Sequence, residues 1–125
     1  MAGAPERISE AEHAVMEVLW TDHPRGANEV FDALGQERGW SLATVKTLLS
    51  RLVSKGAART APDGRRFLYS PAIERSAYVG GESRRFVDRL FGGRPASLFA
   101  HLAEREALSE DDLSEIEALL KELRK

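Results

Sequence analysis

Apolar positions along this chain recur first at helical spacing, then alternate, then return to helical spacing. In "ISEAEHAVMEVLW", Ala11, Ala14, Val15, Val18 and Leu19 form one stripe, which Met16 and Trp20 widen. Ser9 and Glu12 stand at the spacing of a capping box, so the helix is expected to open there. "TDHPRG" breaks the pattern, because Pro24 restricts the residue before it and Gly26 permits a turn. A short second helix follows in "ANEVFDALGQ", with Ala27, Val30, Phe31 and Leu34 inward; Gly35 and Gly39 are read as its end and the next turn. The third helix has the fullest stripe. Val45, Leu48, Leu49, Leu52 and Val53 fall at i, i+3, i+4, i+7 and i+8, between Ser41 as N-cap and Gly56 as stop.

Beyond Gly56 the period shortens. "AARTA" and "RRFLYS" flank "PDG", where Pro62 can set φ and Gly64 can take positive φ, so a hairpin is expected. Phe67 and Tyr69 alternate along its second strand and, with Trp40, are assigned to the core over the alternative of base stacking, since no single-strand platform pattern accompanies them. Three helices followed by a hairpin is the order of a winged helix-turn-helix domain, expected over residues 1–71 with Pro71 closing it. Residues 72–125 read as helical. Ile73, Ala77, Phe86, Val87, Leu90 and Phe91 offer apolar surface in the next helix, where Gly80 and Gly81 allow a break or bend. Pro95 opens a further helix with Leu98, Phe99 and Leu102. Ser109 and Asp112 mark the start of a last one, with Leu113, Ile116, Leu120 and Leu123 as its seam. Barely two heptads long, that seam needs a partner in this chain or in a second copy.

Composition changes this picture little. The 125 residues are 42% hydrophobic and 30% charged, an ordinary globular balance. The absence of cysteine rules out disulfides and thiolate metal sites. No apolar run is long enough to span a membrane, and "MAGAPERISEAEH" lacks the features of a signal peptide, so cytoplasm is the expected compartment. His13, His23 and His101 are dispersed without ligand spacing, and no nucleophile elbow, phosphate loop or dinucleotide fingerprint occurs. Neither a metal, a cofactor nor an enzymatic activity is expected. His13 is read as a surface or edge residue of the first helix.

Charge distribution changes it more. The net charge of −2 conceals −6 over residues 1–37, +6 over residues 38–70 and −2 over the remainder. The outward side of the third helix carries Ala43, Thr44, Thr47, Ser50, Arg51 and Ser54, with Lys46 on the flank, and no acid. A solvated helix face ordinarily mixes Glu with Lys. Short side chains let a helix approach base edges, threonine offers a hydroxyl and a methyl, and Lys46 and Arg51 can reach phosphate or guanine. Ser41 lies at the helix N-terminus, where backbone donors favour an anion. Arg65 and Arg66 follow the hairpin turn, where a wing would touch DNA. Arg38, Lys55 and Arg59 serve equally well as solubility charges. The alternative is a winged-helix module that uses the same surface to bind protein without touching DNA, although such an interface usually exposes aromatic anchors.

"SEAEHAVMEVLW", "WSLATVKTLLSRLVSKG", "FLYSP" and the later "GG…SL…LS" make the chain resemble the BlaI/MecI family of penicillinase and methicillin-resistance repressors, from about Ile8 to the last helix. The resemblance implies an N-terminal winged helix bound to a two-fold symmetric operator in double-stranded DNA, a C-terminal helical region that makes a homodimer, and repression by promoter blocking. On that basis Thr44, Lys46 and Thr47 would be the base-reading contacts, supported on phosphates by Ser41 and Arg51, while Ala43 replaces the basic residue of penicillinase repressors. Those repressors are inactivated by a protease at an Asn–Phe bond, and the corresponding step here is His101–Leu102. The copper sensing of related repressors uses a cysteine-rich tail, which this sequence lacks.

Overall fold

The computed structural model describes residues 7–125; the expected beginning of the 1–71 domain, Glu6 included, lies outside the described residues. The elements run α1 (Glu10–Thr21), β1 (Arg25–Gly26), α2 (Ala27–Arg38), α3 (Leu42–Ser54), β2 (Ala58–Asp63), β3 (Arg66–Pro71), α4 (Arg75–Phe91), α5 (Pro95–Glu104) and α6 (Glu110–Leu123). They fall into two compact units, one ending at Tyr78 and a second covering Val79–Lys125.

In the first unit, three helices enclose an aliphatic core over a small antiparallel sheet in the order β1-β3-β2. Val15, Met16, Leu19, Val30, Val45, Leu49 and Leu52 are fully buried. Each such side chain stabilises the fold by about 1.5–3 kcal/mol relative to exposure. This is the winged helix-turn-helix arrangement that the pattern predicts. The expected capping box closes on α1, with Ser9 Oγ accepting from the Glu12 N–H at 3.1 Å and Glu12 Oε1 accepting from the Ser9 N–H at 2.7 Å.

Glu12 does more than cap. It is 1% exposed, and Lys55 Nζ, at the end of α3, lies 2.7 Å from its Oε1. Burial would raise its pKa, but the Lys55 ammonium, the Ser9 N–H and the Ser9 hydroxyl together hold the carboxyl below its ordinary value. Lys55 Nζ also donates to the Arg7 carbonyl at 3.1 Å, so one ammonium ties the chain ahead of α1 to the end of α3.

The sheet and α2 of this unit differ from the sequence reading. Arg25 and Gly26 form a third strand, pairing with Tyr69 and Leu68; two residues are too few for any periodicity to announce them. Gly35 lies inside α2 instead of ending it, and α2 stops at Gly39, whose φ of 71° is left-handed. Gly35 is there because the Phe31 ring folds over it: a Cβ would meet Phe31 Cδ1 at 2.4 Å.

The first unit continues past Pro71, where the expected domain boundary lies. Trp20 Nε1 donates to the Ile73 carbonyl at 3.0 Å, Arg75 pairs with both Glu17 oxygens at 2.8 and 3.0 Å, and Tyr78 stacks against the half-buried His13 ring. These contacts hold residues 73–78 against α1.

In the second unit, α4 runs unbroken through Gly80 and Gly81. Pro95 takes the first turn of α5, and Ser109 with Asp112 makes the expected capping box on α6. Val87 is its one buried apolar side chain. Phe91 bridges Phe86 and His101, with ring centroids 6.0 and 6.2 Å away. No described helix is long and apolar enough to cross a membrane.

Candidate nucleic-acid interface

The stripe of α3 decides where its other side points. With Val45, Leu48, Leu49 and Leu52 buried, the remaining positions must face outward. Ser41, Ala43, Thr44, Lys46, Thr47, Ser50 and Arg51 are all exposed. Lys46 and Arg51 make no side-chain hydrogen bond or ion pair among the described residues, and the helix contributes no acid to this face.

The hydroxyls here are partly committed. Ser41 Oγ accepts from the Thr44 N–H at 3.1 Å and lies 3.1 Å from Thr44 Oγ1. Thr47 Oγ1 donates to the Ala43 carbonyl at 3.1 Å. The Thr47 oxygen therefore remains an acceptor for an outside donor, and its methyl remains available for apolar contact.

The wing is a tight hairpin. β2 and β3 pair from Ala58–Pro71 to Asp63–Arg66, leaving Gly64 and Arg65 as the two-residue loop, with Gly64 at φ 64°. Pro62 thus sits in β2, one residue before the turn it was expected to set. The two wing arginines differ. Arg65 is exposed and unpaired among the described residues, whereas Arg66 donates to Asp63 Oδ2 at 3.3 Å and to Glu29 Oε1 at 3.2 Å. Glu29 Oε1 also accepts from the Gly26 N–H at the start of α2, so Arg66 fastens the wing to that helix.

The other cations separate in the same way. Lys55 is occupied by Glu12, and Arg38 lies over the Trp40 ring at 5.5 Å. Arg59 is exposed on β2 without an ion pair among the described residues.

Of the three aromatic rings assigned to the core, Trp40 and Tyr69 pack half-buried against it, and Phe67 does not. Phe67 is 55% exposed. It shares a strand face with Tyr69, but β1 pairs only with Leu68 and Tyr69, so Phe67 projects beyond the supported part of the sheet. There it lines a cleft of about 300 Å³ with Gly26, Asn28, Lys46, Arg65 and Tyr69. Asn28 escapes the sequence reading, and Phe67 is placed in the core there because the alternation that turns Tyr69 inward turns Phe67 with it.

The expected dimerisation residues lie in the second unit. Phe86, Leu90, Phe99, Leu113, Leu120 and Leu123 are exposed, while Leu98, Leu102 and Ile116 are half-buried. Leu119, absent from the expected set, is also exposed. The His101–Leu102 bond lies within α5, with His101 exposed. Among the described residues no three His, Cys, Asp or Glu side chains gather as metal ligands would.

A family profile described as Penicillinase repressor matches residues 8–122. The penicillinase repressor of Bacillus licheniformis is 35% identical over 116 residues, covering 93% of this chain and 91% of that protein. The methicillin resistance regulatory protein MecI of Mammaliicoccus sciuri is 32% identical over 113 residues, covering 90% and 92% respectively. The solution structure of monomeric Bacillus licheniformis BlaI in complex with the blaP half-operator is 40% identical, with a TM-score of 0.52, covering 60% of this chain and 92% of that one.

Proposed function

The chain belongs to the penicillinase repressor family, and we propose on that premise that it is a transcriptional repressor that binds operator DNA through its winged helix. The observation that carries this reading is the exposed, acid-free face of α3, on which Lys46 and Arg51 have no partner among the described residues. Thr44, Lys46 and Thr47 would face base edges from the major groove, with Ala43 and Ser50 close enough for contact. Ser41, Arg51, Arg65 and Arg66 would act on the backbone; Arg66 would act with its charge already shared by Glu29 and Asp63. A relative's solved structure with a half-operator supports a reading head that works on one half-site.

Two heads discriminate better than one, because linking them raises effective concentration. The exposed Phe86, Leu90, Phe99, Leu113, Leu120 and Leu123 support a homodimer, which would place two heads on palindromic half-sites about one helical turn apart. A signal acting on the dimer would relieve repression, and cleavage by a protease at His101–Leu102 is one such signal. The protein would act in the cytoplasm, as a regulator and not an enzyme.

The test is the salt dependence of binding to labelled duplex. Wild-type affinity should fall linearly with log salt concentration, and Lys46→Ala, Arg51→Ala and Arg65→Ala should each flatten the slope by about 0.9. Absence of binding at low salt, or identical slopes in all four proteins, would overturn the reading.

A further inference from the structure

The cleft between α3 and the wing contains something the cationic face lacks. Lys46 on α3 and Arg65 on the turn, both unpaired among the described residues, line it together with the ion-paired Arg66 and the Phe67 ring. Two cations without a partner suit phosphates. A broad apolar ring lining the same cleft suits an apolar surface that comes with phosphates attached. In duplex DNA that surface is the deoxyribose, since the base faces are stacked and inaccessible. We propose that Phe67 is a platform for the deoxyribose of one DNA strand seated in this cleft, with Lys46 and Arg65 on its phosphates.

The surroundings of the ring favour this occupant. Tyr69, the other aromatic side chain in the cleft, is half-buried and packed against the core, so the cleft offers one free ring and no row of rings for unstacked bases. Phe67 pairs with Pro62, behind the Gly64–Arg65 tip, so the ring stands back from the end of the wing. The cations draw the backbone in, and the ring covers what lies between its charges. The proposal rests on the DNA-binding reading above and adds a contact that is not ionic.

That difference supplies the experiment. Binding of wild type, Phe67→Ala, Phe67→Leu and Arg65→Ala is measured across a salt series, on a random-sequence duplex and on a sequence selected by the protein. Phe67→Ala should weaken both duplexes by about five- to tenfold, as expected for loss of a buried ring contact, and keep the wild-type salt slope. Phe67→Leu should recover part of the affinity, and its thermal midpoint should match wild type, which guards against misfolding of the alanine variant. Arg65→Ala should flatten the slope. Unchanged affinity in Phe67→Ala would overturn the inference. So would a loss with a flattened slope, which would mean displaced cations, or a loss confined to the selected sequence, which would mean base contact. Wild type that binds neither duplex would remove the repressor reading and this inference with it.

Discussion

The helices α3 and α6 are nearly the same length, 13 and 14 residues, and each starts from a serine cap in front of an aliphatic stripe. Their surroundings are opposite. In α3, Val45, Leu49 and Leu52 are wholly buried; in α6, Leu113 and Leu120 are exposed, and Leu123 is 80% exposed. An amphipathic helix has two faces to satisfy, and the face its own chain leaves uncovered indicates the partner it suits. α3 leaves hydroxyls and cations. α6 leaves leucines.

The sharpest way to break this comparison is to make the same truncation in both. Leu49→Ala opens a cavity in a closed core and should lower unfolding free energy by about 3–4 kcal/mol, seen in denaturant titration. Leu120→Ala should change the stability of dilute protein by less than about 1 kcal/mol, because about half of that residue's surface is already in water, yet weaken self-association in sedimentation. Equal losses of folding stability would mean that α6 has a closed core of its own.

The next largest effect sharpens what fixes α3. Glu12→Gln leaves Lys55 without its buried counter-charge and should lower stability at neutral pH by about 2 kcal/mol. The Glu12 pKa is depressed in the folded protein, so its contribution is complete above the unfolded carboxylate value and disappears as pH falls through the folded one. Wild type should therefore lose stability on acidification more steeply than Glu12→Gln. Parallel profiles would remove this role.

The smallest effect lies on the face itself. The Thr47 hydroxyl gives its proton to Ala43, so only its oxygen and methyl remain for DNA. Thr47→Val keeps the methyl and should cost less than about 1 kcal/mol, at one base pair and without altering the salt slope. A uniform loss over all sequences would instead mean a backbone contact.

The contrast between α3 and α6 also separates what could be read in the sequence from what could not. Caps and stripes are local, so Ser9, Ser41, Ser109 and the α3 heptad announce themselves, and the exposed α3 face follows once its stripe is known. Contacts between distant segments leave no periodic trace. Glu12 reads as a capping carboxylate because its partner Lys55 lies 43 residues away. Phe67 reads as core because alternation gives its side of the strand but not how far the neighbouring strand extends. The Arg65 and Arg66 pair looks uniform in sequence and is divided by Glu29 on α2 together with Asp63 across the turn.

That division has a kinetic side. An exposed ion pair such as Arg66 with Glu29 adds little to stability, but it joins the hairpin to α2. A swinging wing would have to be stilled on every encounter with DNA, at a cost of about 0.5–1.5 kcal/mol for each side chain immobilised. Moored to α2 beforehand, the wing meets the duplex already aimed, and Arg65 inherits that aim.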